Sequence, residues 1–110
     1  MNWLPLTDIE QIEMIKKASF SKPQLIFKHS TTCSISRMAH SRFERADAPT
    51  SIDFYYLDLL NYRSISNAIA ETFQVHHESP QILLIKNGEC TYEESHYGIM
   101  MDDVIEQAGV

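Results

Sequence analysis

Apolar positions along the chain fall into two rhythms, a helical spacing of three and four residues and short continuous runs, and these alternate from the N-terminus onward. Thr7-Asp8-Ile9-Glu10 reads as a capping box, with Thr7 covering free N–H groups and Glu10 reaching back. Ile9, Ile12 and Ile15 then recur at helical spacing, which predicts a helix from about Asp8 to about Ser19. Pro23 interrupts, and Gln24-Leu25-Ile26-Phe27-Lys28-His29 follows as an apolar run between polar residues, the pattern of an interior strand covered on both faces. Ser30-Thr31-Thr32 offers three candidate N-caps in a row. Ile35, Met38, Ala39 and Phe43 then share one helical face, so a helix is predicted to start beside Cys33.

Asp47-Ala48-Pro49-Thr50-Ser51 breaks that helix, and Ile52-Asp53-Phe54-Tyr55-Tyr56-Leu57-Asp58 is rich in strand formers. A third helix is predicted from Ile65, Ala68, Ile69, Thr72 and Phe73, running out near Gln74. Beyond Pro80 come the run Gln81 to Lys86, the hairpin dipeptide Asn87-Gly88, and Glu89 to Tyr92 as a returning strand. A last short helix is expected around Asp102 to Gln107, with acids in its first turn and Gly109 past its end. A β-α-β half followed by a helix, a β-hairpin and a helix is the element order of a thioredoxin-like α/β fold, a mixed central sheet with helices on both faces.

Composition narrows the function. With 110 residues, 44% hydrophobic, the chain is expected to form one domain spanning 1–110. Nine basic against fifteen acidic residues, a net charge of −6, argue against nucleic acid and anionic membrane as partners. Met1-Asn2-Trp3-Leu4-Pro5 shows no basic lead into an apolar run, so a cytoplasmic location is expected. Two cysteines far apart suggest neither a disulfide framework nor a zinc module. The five histidines, His29, His40, His76, His77 and His96, form no paired-ligand spacing; surface or capping roles are expected for them, and no metal site.

Cys33 is the residue best placed for chemistry. It follows a predicted buried strand and stands at the first turn of a helix, where free N–H groups and the helix dipole favour an anion. Such positions lower a cysteine pKa from about 8.5, and the thiolate is the nucleophile of disulfide exchange. Ser36 occupies the position where a dithiol enzyme carries its second cysteine. Its hydroxyl can donate a hydrogen bond to the Cys33 thiolate but cannot resolve a mixed disulfide, so the implied chemistry is monothiol. Cys90, in a predicted strand without cap or basic neighbour, reads as packing. Pro80, after Ser79, reads either as a cis proline in a tight turn beside the cysteine helix, as in folds of this kind, or as an ordinary trans strand-initiating proline.

Thr32-Cys33-Ser34-Ile35-Ser36, Arg63 to Ala70, Val75-His76-His77-Glu78-Ser79-Pro80-Gln81 and Asn87-Gly88 together resemble the YtxJ family of bacillithiol-system redox proteins, nearly end to end. That family is similar to monothiol bacilliredoxins of thioredoxin fold, with a Thr-Cys-Pro-Ile-Ser motif and a His-Glu-Ser-Pro-Gln stretch. The second is unchanged here, while Ser34 replaces the proline of the first, which removes a rigid turn residue. The resemblance implies Cys33 as the attacking thiol, flanked by Thr32 and Ser34, with Ser36 in the empty resolving position. It also implies Ser79-Pro80 as a backbone shelf for the thiol adduct.

Two functions follow. In the first, Cys33 acts as an oxidoreductase that removes bacillithiol, or a similar low-molecular-weight thiol, from mixed disulfides on S-thiolated client proteins; bacillithiol is then a co-substrate and no cofactor is bound. The choice of bacillithiol comes from the resemblance alone. Phe27 stands where thioredoxins carry a buried acid, with no obvious substitute base. In the second, the chain is a redox-silent adaptor that binds clients through the Pro80 surface. Iron–sulfur carriage in the manner of monothiol glutaredoxins fits less well, because those proteins resemble a Cys-Gly-Phe-Ser pattern and this chain has Cys-Ser-Ile-Ser.

Overall fold

The structure, a computed structural model, describes residues 1–110. A central strand organises it. In β2 (Gln24–His29) all six residues are buried, as an interior strand with helices on both sides requires. Around β2 the sheet has the order β1-β3-β2-β4-β5, with β1 at Trp3–Pro5, β3 at Asp53–Asp58, β4 at Gln81–Lys86 and β5 at Glu89–Ser95. β1 and β3 run parallel to β2's direction, and β4 pairs with it antiparallel, so the sheet is mixed.

Side chains alternate along β2 and divide the core in two. Leu25 and Phe27 face helices α2 (Ser34–Arg45) and α4 (Met101–Ala108), where Phe43, Val104, Ile82 and Leu84 close over them. Ile26 faces α1 (Gln11–Ala18) and α3 (Arg63–Phe73), packing with Ile15, Ile65, Ile69, Leu83 and Ile85. Phe27 and Phe43 are essentially inaccessible; truncating either to alanine is expected to cost about 3–5 kcal/mol. The β4–β5 hairpin turns at Asn87-Gly88 with φ of 54° and 80°, the doubly positive geometry that favours this dipeptide. A Cβ on Gly88 would also stand 2.9 Å from the Phe20 ring.

Several local expectations change. Strand β1 has no counterpart in the hydrophobic pattern, because three residues ending in proline are too short to show alternation, and an edge position tolerates that proline. The Thr7–Glu10 capping box does not form. Helix α1 begins later, at Gln11, whose Oε1 accepts from the Thr7 and Asp8 N–H groups at 2.8 and 2.9 Å, while Asp8 Oδ1 accepts from Glu10 N–H at 3.0 Å. None of Ser30, Thr31 or Thr32 caps α2; Cys33 itself is the N-cap residue, in extended conformation and with no side-chain cap bond. Ala39 and Phe43 are buried on the expected face of α2, but Met38 is half exposed and Ser36 takes the remaining buried position.

Candidate functional site

The site lies where β2 ends and α2 begins. After His29 the chain turns tightly, the Cys33 N–H donating to the Ser30 carbonyl at 3.2 Å, and the Cys33 carbonyl then accepts the Arg37 N–H at 3.0 Å as the first turn of α2 closes. Cys33 is partly exposed and Ser34 and Thr32 are exposed on either side of it. The loop opposite is fixed by sheet register. Lys28 pairs with Gln81, the last pair of that ladder, and Ser79-Pro80 lead directly into Gln81 at the same end of the sheet as His29. The Ser79–Pro80 peptide is cis and Pro80 is buried. The Pro80 carbonyl accepts from His96 N–H at 3.1 Å, whereas Ser79 makes no backbone hydrogen bond and its hydroxyl is buried without a partner. Ser79 therefore has main-chain and side-chain polar groups left over just before β4.

Two buried polar clusters flank this end of β2, one on each face of the sheet. On the α2 face, Ser36 is fully buried, and its Oγ lies 2.7 Å from His29 Nδ1 and accepts the Ser30 N–H at 2.9 Å. The hydroxyl that could donate to the Cys33 thiolate is thus turned to His29. The His29 ring stacks on His40, centroids 4.7 Å apart, and meets Tyr56 at 5.6 Å. Burial, with the nearby His40 charge, pushes the His29 pKa down to about 4, so the ring is neutral at neutral pH. Burial lowers His40 as well.

On the other face, Lys28 is wholly buried with no carboxylate partner. Its ammonium donates to the Ser66 carbonyl and to His77 Nδ1, both at 3.3 Å, and burial pushes its pKa down to about 8. His77 is lowered too, by burial first and then by the Lys28 and Arg63 charges. Through His77 this cluster ties the segment before Pro80 to β2 and α3. Gln81 adds a second tie by donating to the His76 carbonyl at 2.9 Å.

The sequence did not single out His29, His40, Lys28 or His77 as parts of the site. For His29 the surface or capping expectation fails outright, since it is buried; the available signal was two polar residues closing an otherwise apolar interior run. Phe27 is buried among apolar residues, so the position where thioredoxins carry an acid is dry and uncharged here.

Cys90 is far away. It pairs with Ile85, which pairs across the sheet with Gln24, at the opposite end of β2 from His29. Five strand steps of about 3.3 Å separate those ends, roughly 16 Å, well beyond the ~7 Å Cα spacing a disulfide tolerates. It also packs on the α1/α3 face, and burial raises its thiol to about 11. No three His, Cys, Asp or Glu side chains converge as a metal site requires, and no helix is long and apolar enough to cross a membrane.

Comparison with known proteins identifies the fold and the family. A solved structure described as "A putative oxidoreductase with a thioredoxin fold" superposes with a TM-score of 0.82 at 32% identity, covering 98% of this chain and 94% of that one. Thioredoxin from Malassezia sympodialis matches at 18% identity and TM-score 0.79, over 100% and 92% of the two chains. Oxidised thioredoxin O2 from Arabidopsis thaliana matches at 18% identity and TM-score 0.73, over 96% and 92%. The fold is therefore thioredoxin-like, as the element order predicts. The family model described as monothiol bacilliredoxin BrxC matches residues 4–104, nearly the whole sequence, and the chain belongs to the monothiol bacilliredoxin family.

Proposed function

We propose that the protein removes bacillithiol, or a closely similar low-molecular-weight thiol, from mixed disulfides on client proteins through Cys33. The observation that carries the reading is the pairing of one accessible thiol at the start of α2 with Ser36, not a second cysteine, one helical turn on. The Cys33 thiolate attacks the bacillithiol sulfur of the mixed disulfide, that S–S bond breaks, and the client cysteine leaves as a thiolate. Bacillithiol is then held on Cys33 by a new disulfide. A second bacillithiol thiolate attacks this adduct, which releases the Cys33 thiolate and bacillithiol disulfide, so the client cysteine is reduced at the expense of one free bacillithiol, the other having entered already in disulfide form.

Ser79 supports the binding half of the cycle, since its unpaired main-chain groups offer strand-like hydrogen bonds to an extended adduct. Thr32 and Ser34 frame the approach to the sulfur. Family membership supports bacillithiol as co-substrate and S-thiolated proteins as partners, and this chemistry belongs to the cytoplasm. The test is release of bacillithiol from a purified thiolated protein, followed by mass spectrometry with bacillithiol in excess. Catalysed release that Cys33→Ala abolishes is expected; release no faster than the uncatalysed rate would overturn the reading in favour of a redox-silent adaptor.

A further inference from the structure

Ser36 has one proton to give and sits where water does not reach it. Its oxygen already receives the Ser30 N–H at 2.9 Å, and the one acceptor in hydrogen-bonding range of its own proton is His29 Nδ1, at 2.7 Å. Neither the Cys33 sulfur nor a carbonyl of the preceding turn makes a hydrogen bond with that hydroxyl. A buried hydroxyl left without an acceptor is unfavourable, so the Ser36 proton lies on the bond to His29 and the imidazole carries its own proton on Nε2.

We propose that His29 is a positioning residue that withholds the Ser36 hydroxyl proton from Cys33, and so keeps the Cys33 thiolate more basic than an unhindered Ser36 would make it. This rests on the monothiol chemistry proposed above. A hydrogen bond to a thiolate stabilises the charged form. Withholding it yields a stronger attacking sulfur and a slower leaving group, because nucleophilicity and leaving ability move oppositely with thiol pKa. The effect is steric and directional. His29 is held by the stacked His40 ring and by Tyr56, with Phe27 beside it on the same strand face. The charges that face it are Arg37 and His40 from α2 and Asp58 from β3; the loop opposite contributes the uncharged Pro80.

The readout is the pH midpoint of Cys33 alkylation, measured in a Cys90→Ala background. His29→Leu removes the acceptor and frees the Ser36 proton, so the midpoint falls by about one pH unit, a tenfold larger thiolate fraction below it. His29→Asn, which keeps an acceptor oxygen near the Nδ1 position, stays near the parent value. His29→Leu combined with Ser36→Ala returns to it, as does Ser36→Ala alone. A midpoint unmoved by His29→Leu, or an equal fall in the double variant, overturns the proposal. If His29→Leu does not fold, nitrogen NMR of the parent protein decides: an Nε2-protonated His29 supports the proposal and an Nδ1-protonated one overturns it. Failure here is separable from failure of the proposed function: an unmoved midpoint in a protein that does accept bacillithiol on Cys33 removes only the role of His29.

Discussion

The two cysteines share one small sheet and meet opposite fates. Cys33 stands at the mouth of α2, partly exposed, between a polar turn and a loop with unpaired main-chain groups. Cys90 lies along β5 against the apolar α1/α3 core, its thiol pushed up to about 11 by burial. The side chain is the same in both places; the strand-to-helix junction makes one a candidate nucleophile and the apolar face makes the other packing. Chemistry here is a property of position, with burial against the apolar face holding the Cys90 thiol protonated.

The widest gap should appear on deletion. Cys33→Ala should cut catalysed release of bacillithiol on the order of 10³-fold or more, as loss of a nucleophile does, while Cys90→Ala should leave the rate within about twofold. Urea unfolding should register Cys90→Ala as a loss of about 1 kcal/mol from the packing it leaves behind.

A second contrast sets Cys90 against Lys28, both hidden on the α1/α3 face. Lys28→Met replaces a buried ammonium that has no carboxylate, and should raise stability at pH 7 by about 1–3 kcal/mol. Their pH effects oppose one another. Lys28 titrates near 8 when folded against an ordinary 10.5, so between those values the unfolded chain holds the extra proton and stability rises with pH. Cys90 titrates near 11 against 9.0, so above pH 9 the folded chain holds the extra proton and stability falls. From pH 9 to 10.5 the two slopes should nearly cancel. Lys28→Met should expose the fall and Cys90→Ala the rise, each approaching 1.4 kcal/mol per pH unit at about one proton, read by denaturant melts across that range.

The smallest effect is expected at the active helix itself. Ser34 is the first residue of α2 and its N–H makes no backbone hydrogen bond, so Ser34→Pro should be accommodated and should raise stability by about 0.5–1 kcal/mol. Thermal melts that show a loss instead would mean that the serine turn is built differently from the proline turn of the family motif.

The parts of the molecule legible in sequence were those where local chemistry decides alone. The interior run of β2, the Asn87-Gly88 hairpin, the acids opening α4 and Gly109 closing it all stand where periodicity and turn preference place them. Cys33 at a strand-to-helix junction was legible for the same reason. The hidden polar network was not. Lys28 and His29 are adjacent in sequence but point to opposite faces, and their partners, Ser66 and His77 on one side and Ser36 on the other, are set by helix packing across the sheet. Hydropathy reads such residues as surface, because it prices the side chain and not the partner that satisfies it. Met38 shows the converse: an apolar residue assigned to the core is half exposed because Ser36 took the buried position.

The central claim is that Cys33 alone carries the thiol exchange. Intact-protein and peptide mass spectrometry after exposing the reduced protein to bacillithiol disulfide, with glutathione disulfide in parallel and Cys33→Ala as control, tests it most directly. The expected result is a rapid, thiol-reversible bacillithiol adduct on Cys33, slower with glutathione, and none on Cys90. A Cys33–Cys90 disulfide, or a parent protein that takes no adduct on Cys33, would contradict it.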